Sequence, residues 1–287
     1  MAHRLSPTII ASLEQWCGRL RDVNARSALF DVYGDHLLSR GGQAPVAGLV
    51  RMMAPLEIAG PAVRTAISRM VRQQWLVPVL LPDGAGYRLS SRAERRLADA
   101  AARIYRSGIA DWDGRWHLLV IDHVSSRATR ERVRTGLTYL GYAPLRDSTW
   151  ISPRASVEVD ALLSNEGARA RRFLAEHDGD QAALTSTAWD LDGLALAYER
   201  WLDEATTIVS ELPNEPTDRD AFVVRSKLVH EWRKFLFRDP GLPDEVLPPR
   251  WPGRDAAQFF DSAAARLLLG AGRYVEVCLQ RKGAVHV

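Results

Sequence analysis

Five polar residues between positions 64 and 72 have the types and spacing for one kind of chemistry. Arg64, Thr65, Ser68, Arg69 and Arg72 recur three or four apart, so a helix gathers them on one side. Arginine forks match phosphates and guanine edges, and short hydroxyls match phosphates or either base. That face carries three arginines, two hydroxyls and no acid. Val63, Ala66, Ile67, Met70 and Val71 fall at i, i+3, i+4, i+7 and i+8, the apolar stripe of an amphipathic helix. Pro61 suits the first turn, where its missing N–H would have no partner. The stretch from Gly60 to Gln74 is therefore expected to be a helix that shows a basic face to a polyanion.

The elements that must position this helix are legible on both sides. Arg26 to Leu38 reads as a helix with Leu29, Val32, Tyr33, His36 and Leu37 on its apolar stripe, stopped by Gly41-Gly42. His36 lies on that stripe and is expected to be packed rather than a ligand. Val46 to Met53 reads as a short helix, and Leu56 to Ala59 as the turn into the basic helix. Two β-prone runs follow, Trp75–Leu81 and Tyr87–Leu89, around a turn rich in Pro, Asp and Gly at 82–86. A hairpin after two helices joined by a tight turn is the order of a winged helix-turn-helix, with Arg88 as the cation of the wing. Ser6 caps an expected earlier helix from Pro7 to Val23. Ser91 to Glu94 reads as a capping box, opening a helix that buries Leu97, Ala101, Ile104 and Tyr105 and ends at Gly108.

Charge is distributed to suit. The chain has 287 residues and a formal net charge of +3. Residues 1–110 hold 15 arginines and no lysine against 8 acids, a net +7; the remainder holds 23 basic and 27 acidic residues, a net −4. A basic front expects DNA, and an acidic back expects protein or a small ligand. No apolar run approaches the ~20 residues of a membrane span, and the N-terminus lacks a secretory core, so no membrane partner and a cytoplasmic protein are expected. Cys17 and Cys278 are too far apart in sequence for a metal or disulfide framework. The seven histidines show no zinc spacing, and no nucleophile or phosphate-loop motif is present, so neither a metal nor a catalytic residue is expected.

The rest divides in two. From Arg115 the chain reads strand, helix, strand, strand, helix, strand, which is the ferredoxin-like order. From Asp190 it is mostly helical, with amphipathic runs at Leu191–Leu212, Asp218–Phe237 and Arg254–Tyr274 around a proline-dense loop at 238–253. The fold class expected is α+β. Three domains are expected: a winged helix-turn-helix at 1–110, a ferredoxin-like domain at 111–188, and a helical effector and dimerisation domain at 189–287.

At this length the chain resembles the PaaX family of bacterial transcriptional regulators. The resemblance rests on Leu49-Val50-Arg51 through Ala62-Val63-Arg64-Thr65-Ala66-Ile67-Ser68-Arg69-Met70-Val71, and on Trp112-Asp113-Gly114-Arg115-Trp116. It rests also on His230-Glu231-Trp232-Arg233-Lys234-Phe235 and Asp239-Pro240-Gly241-Leu242-Pro243. It implies a dimeric repressor of aromatic catabolism genes, released by phenylacetyl-coenzyme A or a related thioester. On that reading Arg64, Thr65, Ser68, Arg69, Arg72 and Arg88 meet operator DNA. His230, Arg233 and Lys234, at i, i+3 and i+4, offer cations for coenzyme A phosphates, while Trp232 or Trp251 packs the aryl group. The competing role for this motif is to pin the proline-rich loop, through salt bridges such as one to Asp239. Dimer contacts are expected in the acidic back, so residues 1–110 alone are expected to bind DNA weakly. The middle block also looks like the small CRISPR nuclease Cas2, which places Asp122 where a metal-binding aspartate would stand. An alternative function is therefore a Mg²⁺-dependent nuclease using Asp122, and another is a winged-helix protein-interaction module.

Overall fold

A computed structural model describes residues 24–82, 84–104, 111–122, 124, 126–146 and 148–280. The expected helix from Pro7 to Val23, with Cys17, lies outside these residues, as do Asp83 of the hairpin turn and Tyr105 and Gly108 at the end of the fourth helix. The chain forms two compact units. The first takes in the described residues of Met1–Ser107, Trp201–Trp232 and Ala257–Val287; the second, those of Gly108–Arg200 and Arg233–Ala256.

In the first unit, α1 (Ala25–Val32) is capped by the Asn24 side chain, which accepts from the Ser27 N–H at 3.0 Å. Beyond it the coil widens to a π turn over Tyr33–Leu37, tightens over Leu38–Arg40, and stops where Gly41 takes a φ of 84°. Strand β1 (Gln43–Pro45) leads to α2 (Val46–Met53). A 3₁₀ turn at Ala54–Leu56 and a left-handed Glu57 then redirect the chain into α3 (Gly60–Arg72). Strands β2 (Leu76–Leu81) and β3 (Gly84–Leu89) make an antiparallel sheet in the order β1-β3-β2. Their pairing runs out to Leu81 and Gly84, so the hairpin is tighter than the 82–86 turn expected. Helix α4 (Ser91–Ile104) is capped by Ser90, whose Oγ accepts from the Ala93 N–H at 3.2 Å. The box expected at Ser91 thus begins one residue too late.

The back of the chain supplies three long helices: α8 (Leu191–Ser210), α9 (Asp218–Trp232) and α10 (Pro252–Leu279). Phe222 and Val223 of α9, with Ala271, Val275 and Cys278 of α10, belong to the same core as Leu29, Leu49, Met52, Val63 and Met70. Residues 201–232 and 257–280 therefore complete the core that the front of the chain begins. Helix α9 is not the amphipathic run expected, because every residue from Ala221 to His230 is buried. A helix apolar all round would simply be sunk in the core, but α9 carries Arg225, Lys227 and His230 there.

In the second unit, β4 (Trp116–Ile121), α5 (Arg127–Tyr139), β5 (Ala143–Arg146), β6 (Thr149–Ser152), α6 (Val159–Asn165) and β7 (Ala170–Ala175) follow the expected sequence of elements. The sheet is antiparallel in the order β5-β6-β4-β7, which is the ferredoxin-like arrangement. Leu119, Ile121 and Trp150 of the sheet pack with Val133 and Leu137 of α5 and Val159 and Leu163 of α6. Asp180 caps α7 (Gln181–Ala188) through the Ala182 and Ala183 N–H groups. The buried Trp116 donates to Gln181 Oε1 at 3.0 Å and stacks on Trp189, which ties α7 and the segment after it to the sheet. The architecture is α+β.

Candidate nucleic-acid interface

Helix α3 divides as its sequence demands. Val63, Ala66, Ile67 and Met70 are buried. Arg64, Thr65, Ser68, Arg69 and Arg72 are all exposed. The turn that aims this face is fixed by hydrogen bonds from the Glu57 N–H to the Ala54 carbonyl (3.0 Å) and from the Ile58 N–H to the Met53 carbonyl (3.2 Å). Glu57 has a φ of 62°, a left-handed geometry that costs a non-glycine residue about 1 kcal/mol. Burial of Leu49, Met52 and Met53 on α2 against the α3 stripe offsets that strain. The far end of α3 is held by Ser90, whose hydroxyl donates to the Gln74 carbonyl at 2.8 Å.

The two hydroxyls on this face are less free than their types suggest. Thr65 Oγ1 donates to the Pro61 carbonyl at 3.0 Å, and Ser68 Oγ donates to the Arg64 carbonyl at 3.1 Å. Their protons point back along the helix, so only their lone pairs face outward. Such an oxygen accepts from a base amino group but has no proton for a phosphate. The hydroxyls therefore suit base edges, whereas the sequence allowed bases and phosphates alike. Ala59 at the N-cap offers no side-chain acceptor to the first turn. Arg88 is exposed on β3, in register with Gln43 and Val77.

Three exposed arginines on α4, Arg92, Arg95 and Arg96, add to the basic surface of this unit, and sequence reasoning missed them. Their i, i+3, i+4 spacing was a usable signal. Arg92 lies over the Trp75 ring at 5.4 Å, and Trp75 in turn meets Phe30 of α1 edge-on.

The five residues expected at an effector site are divided between the two units. His230 and Trp232 belong to the first. His230 Nδ1 sits 2.6 Å from Asp31 Oδ2 in the interior. Trp232 stacks on Phe260, and its Nε1 donates to the Ile104 carbonyl at 3.2 Å. Arg233, Lys234 and Trp251 belong to the second. The α-helix ends at Trp232, and Arg233–Phe237 is a 3₁₀ turn. His230 is buried, so of the three cations placed at i, i+3 and i+4 only Arg233 and Lys234 reach the surface. Arg233 is half-buried, Lys234 exposed, and Trp251 buried edge-on to Tyr198.

The proline-rich loop is anchored within the second unit by Tyr198, Arg154 and Thr185, none of which is near it in sequence. The Tyr198 hydroxyl donates to Asp239, and Tyr198 stacks on Phe235 with ring centres 4.0 Å apart. Arg154 donates to the Gly241 carbonyl at 2.6 Å, and Thr185 to the Val246 carbonyl at 2.9 Å.

A network of buried charge lies behind α3, and the sequence did not reveal it. Arg225 of α9 grips Asp35, while Asp31 meets His230. His36 is buried, and desolvation pushes its imidazole down to about 4. Asp35 pulls that value upward, and Arg225 and Arg40 push it down again.

Asp122 is exposed just past the end of β4, and its N–H donates to the Arg169 carbonyl at 2.8 Å. Among the described residues no group of three or more His, Cys, Asp or Glu side chains is placed to hold a metal ion. Cys278 is buried, and burial raises its thiol pKa, which suits a packed rather than a reactive cysteine. No helix among the described residues is long and apolar enough to cross a membrane.

Three family models match successive stretches of the chain: PaaX-like protein over residues 24–93, the PaaX protein central Cas2-like domain over 109–185, and the PaaX-like protein C-terminal domain over 189–277. The chain is 29% identical over 247 residues to the transcriptional repressor PaaX of Escherichia coli (strain K12), covering 82% of this chain and 78% of that protein. Among solved structures it is similar to the uncharacterized protein Rv0674 from Mycobacterium tuberculosis, with a TM-score of 0.63 and 26% identity, over 90% of this chain and all of that one. With the middle block folded as the Cas2-like model requires and all three models matched in order, this chain belongs to the PaaX family of regulators.

Proposed function

We propose that this protein is a DNA-binding transcriptional repressor of an aromatic-acid catabolic operon, of the phenylacetate type. The relative's description as a repressor supports the regulatory role, and a regulator of this family is not an enzyme. The observation that carries DNA binding is the solvent face of α3, where Arg64, Arg69 and Arg72 stand exposed beside two outward hydroxyl oxygens. Helices α2 and α3 form the helix-turn-helix, β2 and β3 the wing, and Arg88 is the wing cation. Two copies would present two α3 helices to successive major grooves, about 34 Å apart. The effector would be an aryl-acyl coenzyme A. Arg233 and Lys234 would meet its phosphates, with Arg233 suited to a bidentate contact.

The test is a gel-shift titration of full-length protein on DNA upstream of its own gene, at two salt concentrations. Arg64→Ala or Arg69→Ala is expected to cost ~1–3 kcal/mol where the arginine reads a base. A phosphate contact instead weakens all sequences alike and lowers the salt slope by about one unit. Wild-type affinity in both variants would remove α3 as the reading helix.

A further inference from the structure

Arg51 is the one charged residue on α2. The first helix of a helix-turn-helix crosses the DNA backbone, so a cation there would ordinarily be assigned to a phosphate. Its fork is engaged elsewhere. Arg51 Nε and Nη2 donate to the Cys278 carbonyl at 3.0 and 2.6 Å, and Nη2 donates also to the Gln280 carbonyl at 3.1 Å. These oxygens stand at the C-terminal end of α10, where the last carbonyls of a helix have no partner within it and carry partial negative charge. Arg51 therefore caps α10 from another helix, 227 residues away in sequence.

Two further contacts hold the same ends together. The Tyr274 hydroxyl, one turn earlier on α10, donates to the Arg51 carbonyl at 3.4 Å. Gly48, one turn before Arg51 on α2, meets the same end of α10. A Cβ there would stand 3.0 Å from the Cys278 carbonyl oxygen, so glycine is what lets the two helices come so close. The bonded turn at Glu57 and Ile58 carries α2 directly into α3, so any tilt of α2 is passed to the reading helix. Helix α2 has eight residues, a length of about 12 Å. A tilt of about 10° would move its far end by about 2 Å. A hydrogen bond to a base edge does not survive such a shift, because its distance and angle are narrowly set. Attraction to a phosphate does survive, because screening acts over roughly 10 Å.

We propose that Arg51 is a positioning residue for DNA reading. It locks α2 onto the C-terminal end of α10 and so fixes the angle at which α3 is presented, without itself touching DNA. The specificity of the helix-turn-helix then depends on the last turn of α10, and one arginine of the basic front is withdrawn from the phosphates. The proposal rests on the reading of α3 as a DNA-binding helix.

The experiment titrates full-length wild type, Arg51→Met and Arg51→Lys on the duplex that wild type binds best and on a scrambled duplex, each at two salt concentrations. Arg51→Met is expected to lose about tenfold on the preferred duplex, the worth of one good base contact, and little on the scrambled one. Its salt slope is expected to match wild type, and its thermal unfolding to stay cooperative. Arg51→Lys keeps the charge but not the fork, and is expected to lose nearly as much. A salt slope lower by about one in Arg51→Met, or full recovery by lysine, would point to a phosphate contact and overturn the proposal. So would equal losses on both duplexes or no loss on either. An Arg51→Met variant without a cooperative transition would overturn it too, since Arg51 would then hold the core rather than aim a helix. Wild type that binds neither duplex would remove the DNA reading and this proposal with it; variants indistinguishable from a wild type that does bind would remove the proposal alone.

Discussion

Arg225 and Asp35 meet as a two-pronged pair in the interior of the first unit. Arg225 Nε and Nη2 donate to the two Asp35 oxygens at 2.8 and 2.7 Å, and the side chains are 5% and 6% exposed. Arg225 also donates to the Ala264 carbonyl, so one guanidinium joins α9, α10 and the π turn after α1. Two opposed costs decide what the pair is worth. Desolvating both ions nearly cancels their attraction, yet removing one strands the other. Arg225→Met is therefore expected to destabilise the protein by about 3–5 kcal/mol in urea unfolding followed by circular dichroism. The double variant Arg225→Met with Asp35→Leu is expected to regain most of it. A single variant that unfolds at the wild-type midpoint would mean that Asp35 finds water or another partner once the arginine is gone.

The shared core alters what a truncation does. From the charge split, residues 1–110 alone are expected to bind DNA, but weakly. In the fold, Phe222, Val223, Ala271, Val275 and Cys278 fill the same core as α1 to α3, and Phe222 and Val275 are fully buried. Cutting at 110 removes both helices and leaves Asp31 and Asp35 facing water on a stripped apolar surface. The fragment is expected to lack a cooperative thermal transition and to bind DNA far more weakly than a dissociated full-length protomer. A fragment that melts sharply and keeps half-site affinity would show that α9 and α10 are not needed for the core.

What was legible and what was not follows from range. The 3.6 period at 63–71 located α3 and its exposed face, because a helix stripe is a local pattern. The alternating elements from 115 to 175 gave the central sheet for the same reason. Ser90 and Ser91 are chemically equal as caps, so only geometry separates them. The pairs Asp35–Arg225 and Asp31–His230 are 190 and 199 residues apart, and no local period reports a partner at that distance. The anchoring of Asp239 by Tyr198 was hidden likewise, and so was the 3₁₀ turn that takes over from the helix at Arg233.

His36 makes stability depend on pH in a stated direction. Its folded pKa, pushed down to about 4 by burial, lies below the ordinary 6.5 of an exposed histidine. Between those values the unfolded chain takes up a proton that the folded chain refuses. The contribution is therefore complete above about pH 6.5 and is lost as pH falls toward 4, reaching about 3 kcal/mol at most. Asp35 stands 3.2 Å from His36 Nε2, but its carboxylate is already shared with Arg225 and does not rescue the charged ring. In urea titrations at pH 7.5 and 5, the wild type is expected to lose more stability than His36→Gln. Equal losses in the two proteins would mean that the imidazole is reached by water and protonates in the folded state.

The hydroxyls of α3 separate base reading from charge. Thr65 and Ser68 spend their protons on the Pro61 and Arg64 carbonyls, which leaves each oxygen as an outward acceptor. An acceptor gains nothing beside a phosphate and something beside the amino group of adenine or cytosine. Ser68→Ala and Thr65→Ala are thus expected to lose about 1 kcal/mol on the preferred site and little on unrelated DNA. The slope of affinity against salt is expected to stay as in wild type, since no phosphate is neutralised by either residue. Arg72→Ala is the contrasting variant: if its arginine meets the backbone, affinity falls on every sequence and the slope drops by about one. Parallel titrations on specific and scrambled duplexes at two salt concentrations read both effects. Hydroxyl variants that weaken all duplexes equally would show that the side chains rotate on binding and give their protons to phosphates, and the acceptor role would then be lost.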